Sequence, residues 1–262
     1  MTHDKWQIIV IFFVLLILSI TACTFQLEQT IEDENYFTST PTNTLTSTVT
    51  PVWFPPTKTP TQFKTKIIVP TKDQRIDLGD VIFRDQFLSD SFWFTGMTSD
   101  GNISVENNEL TLAISEPGER LSTLRSSPLL SDYYLEVTAK THLCRDVDNY
   151  GVIFRHESAA YYYRLVLSCN GYFRVERIKD GRITVLSDWI RSGQIPIGSP
   201  AVIEIGIWSY DEEIRIFFND VYQLNLFNIK PIIGSIGFYA RSGGENALTV
   251  TFEELSVMEI SP

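Results

Sequence analysis

The chain has 262 residues, of which 44% are hydrophobic and 13% aromatic, which is enough apolar material for a packed core and excludes a chain that is disordered throughout. It carries 21 Lys and Arg against 32 Asp and Glu, a formal net charge of −11. Residues 73–262 alone hold 16 basic and 27 acidic side chains. Because so acidic a region repels a phosphate backbone, nucleic acid is not an expected partner.

The N-terminus has the layout of a secretory signal peptide. His3 and Lys5 precede the apolar run Ile8 to Leu18, which is too short for the roughly 20 residues of a membrane span. Residues 20–23, Ile-Thr-Ala-Cys, then resemble the bacterial lipobox, whose cysteine receives a lipid. We therefore predict a signal peptide at 1–22 and a lipidated Cys23 that anchors the protein to the bacterial cell membrane on its extracytoplasmic side. The alternative is an uncleaved membrane anchor with an incidental cysteine.

A stalk is predicted to follow, over residues 23–76. In residues 38–62, Thr, Ser or Pro occupy 17 of 25 positions. Such a composition buries too little apolar surface to offset the entropy of ordering, and proline favours extended polyproline II conformations. The stretch is therefore expected to be a flexible spacer.

The remainder, 77–262, reads as one all-β domain. Apolar and polar residues alternate with a period of two, which is typical of half-buried antiparallel strands. Tight turns are predicted at Asp100-Gly101, Asn170-Gly171, Asp180-Gly181 and Asn219-Asp220. So many strands in one domain favour a two-sheet antiparallel sandwich. The predicted strands are 81–87, 102–106, 110–115, 135–140, 150–156, 161–168, 172–178, 182–187, 203–208, 213–218, 221–227, 234–240 and 248–258.

Two cysteines lie within this domain. If 150–156 and 161–168 pair as a hairpin, Cys169 falls opposite the segment that contains Cys144. A disulfide between them is expected in an exported protein; two unrelated reduced cysteines are the alternative.

The faces of this hairpin do not fit a simple register. Its pairing places Val152, Phe154, Tyr163 and Leu165 on one face, and Ile153, Arg155, Tyr162 and Arg164 on the other. A two-residue Asn170-Gly171 turn would then set Glu176 beside Leu165. A longer turn, a β-bulge or partial cover of both faces would resolve the conflict.

The order of several segments resembles a known family. These segments are Phe83-Arg84-Asp85-Gln86-Phe87 with Trp93, Asn149 to Arg155, Tyr163-Arg164, Cys169 to Tyr172, Ile214 to Asn219, Gly234 to Phe238 and Val250 to Leu255. They are similar to the concanavalin A-like (laminin G-like) jelly rolls, particularly the domains of unknown function around the 3-keto-disaccharide hydrolases. Asn219-Asp220 and Phe252-Glu253-Glu254 depart from the Asn-Gly and Phe-Asp-Asp usual there. The resemblance implies a jelly roll and a carbohydrate ligand, although a fold does not determine a function.

Catalytic motifs are absent from the sequence. There is no His-Glu-x-x-His zinc motif and no Gly-x-Ser-x-Gly nucleophile. No strand presents the paired acids of jelly-roll glucanases, and Asp211-Glu212-Glu213 falls in a predicted turn. Glu176 and Glu204 are the strand carboxylates that an enzyme would use. We expect no catalytic residues and no cofactor, although Asp146 and Asp148 are candidates for calcium.

Sugar binding requires a flat aromatic side chain with hydrogen-bonding groups around it. The alternative for each aromatic residue is core packing, and for each arginine a surface ion pair. Three functions follow: non-catalytic carbohydrate binding, a protein-interaction or envelope-structural role, and a glycoside hydrolase-like enzyme acting on (keto-)disaccharides. The first is the leading hypothesis, and its partners are a glycan or an envelope protein. The predicted ligand-binding residues are Tyr150, Arg155, Tyr162, Arg164, Arg174 and Trp189.

Overall fold

The computed structural model describes residues 73–261. The predicted signal peptide, the predicted lipidation site at Cys23 and the predicted stalk up to residue 72 lie outside the described residues. Within residues 73–261 there is no helix of the length and apolarity that a membrane crossing needs. The strands are β1 (Leu78–Asp85), β2 (Gly96–Met97), β3 (Gly101–Glu106), β4 (Glu109–Ile114), β5 (Arg120–Leu124), β6 (Tyr133–Leu143), β7 (Asn149–Ser158), β8 (Tyr161–Ser168), β9 (Tyr172–Lys179), β10 (Arg182–Val185), β11 (Ile190–Arg191), β12 (Ala201–Tyr210), β13 (Glu213–Phe218), β14 (Val221–Leu226), β15 (Ser235–Arg241) and β16 (Leu248–Ile260).

The strands form two antiparallel sheets. A nine-stranded sheet has the order β14-β13-β12-β6-β16-β4-β3-β2, with β1 paired to β16. A seven-stranded sheet has the order β10-β9-β8-β7-β15-β5, with β11 paired to β9. The predicted all-β, two-sheet antiparallel sandwich is confirmed.

The core lies between the sheets, because each strand turns alternate side chains inward. The alternating triplets of the sequence are buried as expected: Leu110, Leu112 and Ile114 on β4, Leu135, Val137 and Ala139 on β6, Ile203, Ile205 and Ile207 on β12. An aromatic stack spans the layer, in which Phe238 of β15 lies 5.1 Å from Trp93 and 4.1 Å from Phe252 between ring centroids.

The connection between β8 and β9 resolves half of the register conflict. It spans the three residues 169–171 rather than two, with the Gly171 N–H donating to the Ser168 carbonyl at 3.0 Å. Leu165 consequently pairs with Val175, and Arg164 with Glu176. Apolar side chains therefore share the inner face, and charged ones share the outer face.

A β-bulge in β7 resolves the other half. Arg155 has a left-handed φ of 47°, and the pairing of β7 with both neighbours shifts register beside it. The extra residue turns the Arg155 side chain away from the outer face and into the core, where it is 0% exposed.

The predicted stalk ends on the domain surface. Arg215 Nη1 donates to the Gln74 carbonyl at 2.7 Å, and Trp208 Nε1 donates to the Ile76 carbonyl at 3.0 Å. The guanidinium of Arg75 lies 5.9 Å from the ring of Tyr134. Residues 73–76 therefore pack on the outer side of the nine-stranded sheet before β1 begins.

Candidate functional site

The outer face of the seven-stranded sheet carries most of the sequence-predicted ligand residues. Tyr162 and Arg164 project from β8 on this face, because Tyr163 and Leu165 between and after them are buried in the core. Arg174 and Glu176 project from β9, since Phe173 and Val175 occupy its inner face. The same alternation that fills the core thus lines up polar groups on the outer face.

Glu176 holds two arginines of this face in place. Its side chain is 0% exposed, Arg164 Nε donates to its Oε2 at 2.5 Å, and Arg174 Nη2 forms an ion pair with its Oε1. A buried carboxylate is strongly destabilising without such partners. The carboxylate therefore fixes two guanidinium groups, one on its own strand and one on the neighbouring strand.

Both guanidinium groups also lie over aromatic rings. Arg164 sits 4.9 Å from the ring centroid of Tyr239, and Arg174 sits 4.5 Å from that of Trp189. Tyr239 is 3% exposed and its hydroxyl donates to Asn149 Oδ1. Burial raises the pKa of this phenol, so it stays a protonated donor at neutral pH.

A cavity opens beside Trp189. It has a volume of about 330 Å³ and is lined by Val147, Ser168, Asn170, Tyr172 and Trp189. Trp189 is 41% exposed, while Ser168 Oγ and Asn170 Oδ1 are hydrogen-bonded at 2.6 Å. Two aromatic rings beside hydroxyl and amide groups form a combination that suits a sugar ring.

The disulfide anchors the loops around this cavity. Cys144 and Cys169 are bonded, with Cα atoms 5.7 Å apart, which confirms the predicted pairing. Asn149 and Ser168 are opposite each other in the hairpin, as that prediction required. The bond therefore holds the segment before β7 against the β8–β9 connection that carries Asn170.

Four of the six predicted ligand residues share this face: Tyr162, Arg164, Arg174 and Trp189. The prediction is wrong for the other two. Tyr150 is 2% exposed on the inner face of β7, where it pairs with Leu167, and its burial raises the pKa of the hydroxyl. Arg155 is directed into the core by the bulge, so neither side chain reaches a ligand.

Glu176, Tyr239 and Asn149 belong to the face but were not among the predicted ligand residues. The spacing of Glu176 two positions after Arg174 was a usable signal, because residues i and i+2 of a strand share a face. Tyr239 and Asn149 carried no such signal, since their meeting depends on the pairing of β7 with β15, which are far apart in sequence.

The two carboxylates considered for catalysis lie on different sheets. Glu204 is on β12 of the nine-stranded sheet, and Glu176 is on β9 of the seven-stranded sheet. Both point away from the core, so they face opposite sides of the sandwich. They cannot form the pair of acids that glycoside hydrolysis uses. Asp211 and Glu212 occupy the turn between β12 and β13, as expected.

Of the two calcium candidates, Asp148 has structural partners for its carboxylate. Asp148 is 1% exposed, its Oδ2 accepts from the Arg145 N–H and its Oδ1 from the Gly243 N–H, each at 2.9 Å. Its carboxylate therefore organises the loop. Within residues 73–261, the group of acids close enough to share a cation is Glu136, Glu204 and Asp220 on the nine-stranded sheet, where Arg75 already forms an ion pair with Asp220.

A larger cavity, of about 410 Å³, lies at loop 86–92. Two arginines, Arg84 and Arg125, line it. The guanidinium of Arg125 is engaged by Asp85 at 3.2 Å and lies between two phenylalanine rings at 4.1 and 4.4 Å. Those contacts clamp the loop to β1. This cavity has one aromatic residue in its lining, Phe92, whereas the cavity at Trp189 has two.

Comparisons with solved structures establish the fold. No protein-family model matches the sequence, and no curated protein matches it. The catalytic domain of an endo-1,3-beta-glucanase (laminarinase) from Thermotoga petrophila RKU-1 is similar at a TM-score of 0.51 and 10% identity, over 71% of this chain and 99% of that one. A Bacillus subtilis protein of unknown function with a galectin-like fold is similar at 0.51 and 11%, over 70% and 97%.

A third similar structure comes from work on endo-acting O-glycanases that human gut bacteria express to initiate mucin breakdown. Its TM-score is 0.53 at 9% identity, over 70% of this chain and 100% of that one. Identities this low demonstrate the architecture alone. The domain therefore has the two-sheet jelly-roll fold that was expected from the sequence.

Proposed function

We propose that the chain is a bacterial lipoprotein, anchored through Cys23 and displayed on a flexible stalk, whose sandwich binds carbohydrate without cleaving it. The binding surface is the outer face of the seven-stranded sheet. The observation that carries the proposal is the cavity between Tyr172 and the half-exposed Trp189, with its adjoining arginines. The jelly-roll folds of glucanases and of a galectin-like protein support a carbohydrate ligand by analogy.

Rigid support favours binding at this surface. Arg164 and Arg174 are held by Glu176, and the cavity loops are joined by the disulfide. Side chains that are already ordered lose little entropy when a ligand arrives. The face is therefore preorganised for a ligand with ring surfaces and polar substituents.

Binding rather than hydrolysis is favoured by the count of carboxylates. Among the positions that the strand register assigns to this face, Glu176 is the one acid, and it is paired with two arginines. Glycoside hydrolysis requires a second carboxylate on the other side of the scissile bond. We expect no reducing sugar to be released from any polysaccharide that binds. If the wild type releases reducing sugar and Glu176→Gln does not, the glycoside hydrolase-like function would be supported instead.

A glycan array tests the proposal. The full-length protein, purified in detergent, should bind a defined subset of glycans, and Trp189→Ala should lose that binding. Tyr222→Ala is the matched control, because Tyr222 is 42% exposed on β14 of the other sheet, against 41% for Trp189. An array without hits, or equal loss in both variants, would contradict carbohydrate binding at this face and favour a protein partner.

A further inference from the structure

Charge is segregated on the molecule. Residues 73–261 contain 16 Lys and Arg against 27 Asp and Glu, yet the outer face of the seven-stranded sheet has the opposite balance. Its register positions hold one acid, Glu176, and five arginines. The five are Arg120, Arg164, Arg174, Arg191 and Arg241.

Two of these arginines are paired with an acid and three are not. Arg164 and Arg174 share Glu176. Arg120, Arg191 and Arg241 are exposed, and their side chains make no hydrogen bond or ion pair with any other residue between 73 and 261. These three guanidinium groups are therefore free to bind an anion.

The free arginines lie in one row across the end of the sheet. Strand pairing places Arg120 opposite Arg241 and Arg241 opposite Asn149. The row continues through Ser168 to Tyr172, which is opposite Arg191. With strands about 4.8 Å apart, six strands extend the row over about 24 Å, which accommodates an oligosaccharide of several units.

Arg120 and Arg241 form a pair that is unfavourable in the free protein. They are direct cross-strand neighbours with like charge, an arrangement that destabilises a sheet. An anionic group between them would replace repulsion by two charge-assisted hydrogen bonds. The row thus has cations at β5 and β15 and, at its other end, the aromatic cavity of Tyr172 and Trp189.

We propose that the glycan bound by this face is acidic, a polysaccharide that carries carboxylates on its sugar rings. This inference rests on the proposed function and specifies its ligand class. Sugar rings contact Tyr172 and Trp189, while ring carboxylates further along the chain bind Arg241 and Arg120. Arginine suits this role because its planar fork matches a carboxylate. Because the domain as a whole has a net negative charge, this row of arginines would direct such a chain to one face.

The test compares charged and uncharged forms of one polymer. Full-length protein in detergent is titrated with polygalacturonate, alginate and hyaluronate, then with methyl-esterified polygalacturonate, dextran and poly-L-glutamate. At least one polyuronate should bind, and removing its charge should weaken binding roughly tenfold or more, in line with charged hydrogen bonds. Raised salt should weaken binding to the polyuronate and leave any neutral binding unchanged.

The double variant Arg120→Gln/Arg241→Gln should bind that polyuronate roughly tenfold more weakly without a lower melting temperature. Arg84→Gln, at an exposed arginine of β1 in the other sheet, is the control and should bind normally.

If a neutral polysaccharide binds as tightly as the polyuronate and the double variant binds normally, the proposal of an acidic ligand is overturned. Carbohydrate binding at this face would still hold. If poly-L-glutamate binds as tightly as the polyuronate, the face binds polyanions in general, and the proposal of a saccharide ligand is overturned. Failure to bind any polysaccharide would overturn both proposals.

Discussion

Arg155 of β7 crosses the core and donates from Nε to Ser209 Oγ of β12 at 3.0 Å, so one side chain joins the two sheets. Its other nitrogens donate to the carbonyls of Ile229, Lys230 and Asp211 at 3.3, 3.1 and 2.7 Å. The guanidinium therefore serves as an internal cap for loops that would otherwise bury unpaired carbonyls.

Replacing Arg155 should be strongly destabilising. Arg155→Met keeps most of the volume but leaves several buried acceptors without a donor, and we expect the free energy of unfolding to fall by about 3 kcal/mol. Urea denaturation measures the change. The exposed Arg84→Gln serves as the control and should unfold like the wild type. A denaturation curve for Arg155→Met that overlays the wild type would show that the cap is dispensable.

Loss of the disulfide should also weaken the domain. The bond joins residues separated by 25 positions, and in the chain-entropy account a loop of that size contributes about 3 kcal/mol. Cys144→Ala/Cys169→Ala is therefore expected to unfold at lower denaturant, as should the reduced wild type. Equal midpoints for oxidised and reduced protein would contradict this assignment.

Glu204 should be a site where a single neutral substitution is stabilising. Burial and the charges of Glu136 and Asp220 raise the pKa of its carboxyl in the folded state. The folded state holds the proton of such an acid more tightly than the unfolded chain does. The free energy of unfolding therefore falls as pH rises from the unfolded pKa through the folded pKa. Glu204→Gln should therefore melt higher at pH 7.

That gain should vanish on acidification. Below the unfolded pKa of about 4.5 the carboxyl is protonated in both states, so wild type and Glu204→Gln should melt together. Melting curves at pH 7 and pH 4 measure both limits. A variant that is less stable at pH 7 would mean that Glu204 makes a favourable contact there.

Much of the fold could be predicted from the alternation of apolar and polar residues alone. Thirteen of the sixteen strands coincide with predicted segments, because their inner faces are built from regular apolar positions. The two-residue β2 and β11 are too short for any period to be visible. β5, Arg120-Leu-Ser-Thr-Leu, follows a Pro-Gly sequence, and its pairing is with β15, far along the chain.

The site was less predictable because a strand pattern assigns faces only while the register is regular. The β8 and β9 residues Tyr162, Arg164 and Arg174 obey that pattern. Arg155 does not, since its left-handed φ is stabilised by partners on β12 and in residues 211–230. Trp189 lies in the connection between β10 and β11, outside any strand, and meets the face through its contact with Arg174. Tyr150 is an inner-face residue whose hydroxyl is buried, and amphipathic tyrosines occupy either face equally well.

Glu176 should be needed for both stability and binding. Glu176→Gln retains the shape and removes the negative charge with which Arg164 and Arg174 both pair. We expect a loss of about 2 kcal/mol, less than for a fully enclosed pair because both arginines reach solvent. Glycan titration should show weaker binding, since two cations lose their fixed positions. Val185→Thr, at the neighbouring register position on β10, is the control and should leave both quantities near wild type.

The most direct test of carbohydrate binding on the seven-stranded sheet is hydrogen exchange of the full-length protein with and without a glycan that it binds. The account predicts slower exchange at residues 145–148, 169–171 and 187–193, the loops that surround the cavity of Tyr172 and Trp189. Slowing on the nine-stranded sheet instead, around 213–226, or at loop 86–92, would contradict it.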